Sequence, residues 1–260
     1  MLAQVLPKIS VVLSCLNEMR YGHLAKILEN LNQQIDKEEI IEEIIAVVSP
    51  SNDQTLDFLS QQPQVKVIST DLVNRAQRFD LGLKASTGNI ILFHHSASLL
   101  PPTYALQQIS QALSTSKQVW GGFHHSFDHD HWLLRFTSWY SNQIRGKQRG
   151  ILYFDHCIFG WREAFIKVGG AGDRAIFADT DLSIKLRQLS YPLFCDGMVV
   201  TSARRFRQRG IYRQALLNQV LKLLYFFGVD DRTMNQIYER KNPINVAYPK
   251  NFAKNLTKKP

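Results

Sequence analysis

Four groups of side chains in this 260-residue sequence have the types and spacing to do chemistry. Asp179 and Asp181 stand two apart in FADTDLSIKLRQL, where an ionised carboxylate could take a proton from a hydroxyl group. Arg204, Arg205, Arg207 and Arg209 crowd TSARRFRQRG, a density of guanidinium groups that suits an anion. His94 and His95 close an apolar run and lead into Ser96 and Ser98 in STGNIILFHHSASLLPP. The run HHSFDHDHW places His124, His125, His129 and His131 beside Asp128 and Asp130, which are transition-metal ligand types at a spacing that matches no defined site. Each group also has a plainer reading. Acids in a helix's first turn are favoured by the helix dipole, histidines at a strand end can be a solvated turn, and the histidine run reads more simply as surface residues.

The elements that would position these groups follow from hydrophobic patterning. Ile90 to Phe93 is a continuous apolar run, the pattern of a strand buried on both faces of a parallel sheet, and ligands of such sheets sit beyond the strands' carboxyl ends. Upstream, Ile9–Leu13, Ile44–Val48 and Val65–Ile68 read as strands. Helical segments lie between them, one carrying Leu24, Ile27, Leu28 and Leu31 on one face, one capped by Asp53, and one capped by Asn74 and running from Arg75 to Lys84. This βαβαβαβ order predicts a Rossmann-like, mostly parallel sheet flanked by helices. Downstream, helices are expected over Tyr104–Leu113 and Leu133–Gln143, a basic loop over Ile144–Gly150, and strands at Val119–Phe123, Ile158–Phe159 and Val199–Ser202. Gly169 to Gly172 reads as a flexible hinge before an amphipathic helix that opens at Asp179.

Neither GxGxxG nor GxxxxGK[ST] occurs, which argues against dinucleotide oxidoreductases and P-loop enzymes. Cys15, Cys157 and Cys195 are far apart and odd in number, so no disulfide framework or zinc ribbon is expected and a reducing cytoplasm fits. The opening MLAQVLPKISVVLSCLNE does not read as a secretory leader, and no stretch reaches the roughly 18 apolar residues of a membrane span.

Charge is unevenly placed. From Thr201 onward thirteen Lys and Arg face three acids, a surplus of +10 in a chain of net charge +9. An anionic partner is implied: a phosphate-bearing substrate, an anionic membrane surface or nucleic acid, the last without any recognisable reading motif. The plain alternative is a solvated basic end. The helix from Ile211 to Phe227 is apolar over a broad face with Leu216, Val220, Leu223, Leu224 and Phe227, suiting core or partner packing or shallow membrane contact. The expected organisation is one α/β domain over 1–210, an amphipathic helical extension over 211–240 and a basic, flexible tail over 241–260.

The segments KISVVLSCLNE, IIAVVSPSNDQT, NRAQRFDLGLKASTGNIILFHHSAS, FADTDLSIKLRQL and TSARRFRQRG, in that order, resemble a family 2 glycosyltransferase of GT-A fold. They are most similar to a small bacterial subgroup with GRxRQxNxG before an LFLHADT turn and a closing TSARRxxxRG; the likeness spans Lys8 to Tyr238. The resemblance implies a nucleotide-sugar donor, an unidentified hydroxyl acceptor and inverting transfer. It also implies Mn²⁺ or Mg²⁺ on a DxD-like turn, here His95-Ser96-Ala97, with His95 as the one side chain able to ligate. By position Asp179 is the general base and Asp155 an acceptor-side acid. Ser14, Asn17, Glu18, Ser49, Arg75, Arg78, Ser96, Arg204 and Arg205 join His95 and Asp155 as substrate-binding candidates. The chain departs from the pattern where Ala97 replaces the metal-binding Asp, Ser49 and Pro50 replace the nucleotide-binding acid, and Ala178 replaces the glutamate before the base. Either the arginines neutralise the diphosphate without metal, or the protein is a silent relative that binds a glycan, a nucleotide or a partner.

Overall fold

A computed structural model describes residues 6–239 except Val73; the basic tail expected over 241–260 lies outside the described residues. The strands are β1 (Ile9–Cys15), β2 (Ile41–Val48), β3 (Val65–Ser69), β4 (Ile90–His94), β5 (Ser98–Leu99), β6 (Trp120–Phe127), β7 (Phe159–Trp161) and β8 (Leu193–Thr201). They form one sheet in the order β3-β2-β1-β4-β7-β6-β8-β5. The first four central strands are parallel to one another, but β7 inserts antiparallel between β4 and β6, and β5 pairs antiparallel with β8. Between them β6 and β8 are again parallel, so the sheet is mixed in its second half.

Side chains along β1 and β4 alternate between two cores, as a period of two requires. Val11, Leu13, Ile90 and Leu92 join one cluster with Leu24, Ile27 and Leu31 of α1 (His23–Asn32) and Ile109 and Leu113 of α5 (Ala105–Thr115). The helices α2 (Lys37–Ile40) and α3 (Thr55–Ser60) complete that half. Val12, Ile91 and Phe93 face the other cluster, with Phe79 and Leu83 of α4 (Arg75–Ala85) and Leu182 and Leu186 of a later helix. A methyl at Gly82 would meet Val12 Cγ1 at 2.2 Å, so glycine is what lets α4 lie so close on β1. The predicted cap at Asn74 is present, its side chain accepting from the Gln77 N–H at 2.8 Å; Asp53 is not the cap of α3, whose N-cap is Gln54, but stands one residue earlier and accepts from the Thr55 N–H at 3.0 Å.

Two local expectations are corrected. Ile144–Gly150 is not a loop; α6 (Trp132–Trp139) runs without a break into a π-helix over Tyr140–Gln148, because the chain widens its turn instead of stopping at the polar residues. Gly169–Gly172 is not a hinge. It follows α7 (Arg162–Lys167), and its backbone is fixed by Asp80, whose carboxylate accepts from the N–H groups of Ala171 at 2.6 Å and Gly172 at 2.9 Å. The last helices are α8 (Ala178–Leu186), α9 (Arg204–Arg209), α10 (Ile211–Phe226) and α11 (Asp231–Glu239). Leu221 of α10 and Met234 of α11 bury themselves on Ile176, which brings α10 back across the mouth of the sheet. The three cysteines are buried and unpaired.

Candidate active site

Beyond the carboxyl ends of β1 and β4 lies a cavity of about 790 Å³, in the upper part of the range for small-molecule sites. One side is cationic. Arg75, at the start of α4, and Arg204 and Arg205, at the start of α9, line it together with His95 and Ala97. The Arg204 guanidinium lies over the Tyr21 ring at 3.8 Å and that of Arg205 over Tyr238 at 4.1 Å, and each keeps a buried Nη1 with no hydrogen-bond partner among the described residues. Buried donors aimed into a cavity are uncompensated until an acceptor arrives. Burial, reinforced by Arg75 and Arg204, holds the His95 imidazole well below its usual pKa, so it is neutral; its Nδ1 lies 3.0 Å from Ser98 Oγ.

The other side holds carboxylates. Asp179 sits in the first turn of α8, placed there by Phe177 in the left-handed region at φ 63°. Its Oδ2 accepts from the Phe154 N–H at 3.2 Å and its Oδ1 from the Thr180 N–H at 2.8 Å. Burial nevertheless pushes its pKa up to about 6, with Asp155 adding to the rise and Arg145 opposing it. The expectation that the helix start would hold this group low is thus reversed, because desolvation outweighs the dipole and two hydrogen bonds. Asp155 places Oδ2 3.5 Å from His125 Nε2 and leaves Oδ1 buried without a hydrogen-bond partner among the described residues. Asp181 faces away, bound to Arg174 and to the Tyr225 hydroxyl, and so ties α8 to α10.

Of the residues singled out in the sequence, Arg75, His95, Asp155, Asp179, Arg204 and Arg205 line one cavity. Ser14, Asn17, Glu18, Ser49, Arg78 and Ser96 stand behind it. Fully buried Arg78 donates to Ser14 Oγ at 2.9 Å and Ser49 Oγ at 2.7 Å, joining the ends of β1 and β2. Asn17, at φ 56°, accepts from the Asn52 N–H at 2.8 Å. Glu18 accepts from Ser96 Oγ at 2.8 Å, and its other oxygen lies 4.0 Å from Arg204 Nη2. Burial raises the Glu18 pKa and Arg204 counters it. The four-arginine clamp contracts to two, since Arg207 pairs with Asp128 at 3.4 Å and Arg209 donates to the carbonyls of Tyr238 and Glu239.

The amino-terminal part of the chain, residues 10–169, matches the model of "Glycosyl transferase family 2". The chain belongs to glycosyl transferase family 2. The fold agrees with solved structures at low identity. A mannosyltransferase, PcManGT from Pyrobaculum calidifontis, in complex with GDP-Man and Mn²⁺, superposes with TM-score 0.61 at 16% identity over 85% of this chain and 65% of its own. This chain therefore spans about two thirds of that enzyme's length. S. aureus TarS 1-349 gives 0.62 at 13% identity over 89% of this chain and 69% of its own, and its complex with UDP-GlcNAc gives 0.62 over 90% and 71%. No curated protein matches the sequence.

A divalent ion does not fit the residues present. Ala97 offers no ligand, Glu18 is engaged by Ser96 and Arg204, and three guanidinium groups line the cavity with the His95 imidazole. The His124–His131 run is not a metal site either. Among the described residues no three His, Cys, Asp or Glu side chains come together, and the run is divided: His124 stacks on Phe194, His125 meets Asp155, and His131 caps α6.

Among the cavity residues that are not sequence-derived candidates are Arg145, Tyr153 and Lys222, while His125 is singled out only as part of the histidine run. The Arg145 guanidinium lies 4.1 Å from the Tyr153 ring centroid, and its Nε and the Tyr153 hydroxyl are buried without hydrogen-bond partners among the described residues. Lys222, on α10, is held down to about 8 by burial and by Arg145. The basic run IRGKQRG was the available signal for Arg145. Nothing in the local sequence marked Lys222, because its role depends on α10 folding back.

Proposed function

We propose that this protein transfers a sugar from a nucleotide-sugar donor to a hydroxyl acceptor with inversion and without a divalent metal. The observation that carries the reading is one cavity lined both by the guanidinium groups of Arg75, Arg204 and Arg205 and by the carboxylates of Asp179 and Asp155. The donor's diphosphate lies against the guanidinium groups, where the Nη1 groups of Arg204 and Arg205 donate to its oxygens. The acceptor hydroxyl lies against Asp179. Asp179 takes the hydroxyl proton as the oxygen bonds to the anomeric carbon from the face opposite the diphosphate; the bond from that carbon to the phosphate oxygen breaks, and the nucleoside diphosphate leaves with the electron pair. Arginine donors strengthen as negative charge gathers on that leaving group.

Binding of GDP-Man and UDP-GlcNAc by structurally similar proteins supports a donor of this class. A thermal-shift panel of UDP-, GDP-, CMP- and dTDP-sugars, each with EDTA and with Mn²⁺, tests it together with detection of released nucleotide. Stabilisation by one donor that is equal in both conditions is expected. Stabilisation that requires Mn²⁺ would refute the arginine clamp, and donor binding without release of nucleotide under any acceptor mixture would favour the silent-relative reading.

The protein is further proposed to work in the cytoplasm on an anionic membrane face. The support is the charge surplus of the sequence after Thr201, together with exposed Leu216, Leu223, Phe226 and Phe227 on and just after α10. No described helix is long and apolar enough to cross a membrane.

A further inference from the structure

The cavity that holds Asp179 and Asp155 opens between α6, with its π-helical continuation, and α10. Its outer walls are apolar: Leu133, Phe136 and Tyr140 on one side, Tyr212 and Leu216 on the other. The two walls meet at the far end, where Trp132 Nε1 donates to the Tyr212 hydroxyl at 3.3 Å, and face each other deeper in, where Lys222 Nζ lies 5.9 Å from the Tyr140 ring centroid. Both walls line the cavity that the carboxylates line. Its rim does not return to a polar surface. Phe136 is 53% exposed and Leu216 67%, and Trp139, Val220, Leu223 and Phe226 extend the apolar face along the same two helices. Contiguous exposed apolar surface of this kind marks a membrane or partner contact, and tryptophan and tyrosine at its edge suit the boundary between water and lipid.

Chemistry at the inner end narrows the occupant. Asp155 Oδ1, Arg145 Nε and the Tyr153 hydroxyl are buried and lack hydrogen-bond partners among the described residues, and all three residues line the cavity, so this end is built for a polar, hydrogen-bonding group. Arg145 and Lys222 carry positive charge there, and neither has an ion-pair partner among the described residues. A polar head beyond an apolar channel, on a basic protein, is complementary to an amphiphile from an anionic bilayer. A peptide would need main-chain partners along the cleft, whose outer walls are side chains of Leu, Phe and Tyr.

We propose that the acceptor is a lipid-borne hydroxyl, with its chain lying between α6 and α10 and its head reaching Asp179. Transfer to it rests on the glycosyltransferase reading; binding of the chain does not. Alkyl β-D-glucosides with hexyl, octyl and decyl chains, kept below their micelle concentrations, are the probe, and quenching or shift of the fluorescence of Trp132 and Trp139 is the readout. Each buried methylene contributes about 0.8 kcal/mol, so affinity should rise about three- to fourfold per methylene. Leu216→Glu and Phe136→Ser change exposed side chains and should fold normally; each should flatten the chain-length dependence while leaving the thermal shift by nucleotide sugars intact. Hexyl and decyl glucosides binding within twofold of each other would overturn the proposal, as would an undiminished dependence in both variants. If no nucleotide sugar binds but chain-length dependence is present and lost in the variants, the transfer reading fails and the amphiphile site stands.

Discussion

Replacing Asp179 by Asn tests the base and the energetics of its burial in one protein. The carboxylic acid is pushed up to about 6 in the folded chain from an ordinary value of 3.8. A group raised on folding binds more protons folded than unfolded, so the wild-type protein loses stability as pH climbs from about 4 through about 6. About two pKa units correspond to about 3 kcal/mol, reduced to about 2 by the solvent that reaches this partly buried group. Asn has no charge to bury. It keeps one acceptor oxygen for the N–H of Phe154 or of Thr180, and the loss of the other bond costs about 1 kcal/mol. The variant should therefore be slightly less stable than wild type near pH 4 and about 1 kcal/mol more stable above pH 7. In a chain of this size that is about 2 to 4 °C in Tm. Over the same range wild-type kcat/KM should rise along an acid limb centred near pH 6, as the base ionises, while the variant loses the limb and about 10² to 10⁴ of the rate. Thermal melts at pH 4, 6 and 8 beside initial rates decide the matter. If the two stability curves do not cross, burial does not control this carboxylate. If transfer stays within tenfold, Asp179 is only a helix-start ligand and Asp155 becomes the base.

The two-arginine clamp predicts that Arg205→Ala weakens donor binding by about ten- to a hundredfold, the value of a charge-assisted hydrogen bond, while Arg207→Ala leaves it unchanged; calorimetry with the donor found in the panel checks both. Gly170→Ala should lower stability by about 2 to 4 kcal/mol in urea melts, since φ is +70° and the new methyl would meet Asp80 Oδ1 at 2.2 Å; a change under 1 kcal/mol would mean the Asp80-bound turn yields freely. Co-sedimentation should favour anionic over neutral vesicles and weaken as salt shortens the Debye length, each basic residue near the surface contributing about 1 kcal/mol; equal binding to both vesicle types would exclude the electrostatic part.

Local pattern was enough for whatever depends on neighbours in the chain. Uninterrupted apolar runs at Ile9–Leu13 and Ile90–Phe93 can be satisfied only by cover on both faces, so a helix-flanked sheet followed from the sequence, as did the cap at Asn74 and the carboxylate at the start of α8. Tertiary structure decided what depends on residues far apart. It split TSARRFRQRG, a uniform basic stretch on paper, into Arg204 and Arg205 at the cavity and Arg207 and Arg209 spent on Asp128 and the end of α11, because successive side chains of a helix point in different directions. It set Asp80 on the Gly169–Gly172 turn, 91 positions away, turning an expected hinge into a fixed corner. It also placed Lys222 in the cavity that Arg145 and Asp155 line. That placement exists only because Leu221 and Met234 bury on Ile176 and bring α10 across the site, and no periodicity within a single helix encodes which cavity its polar face will close.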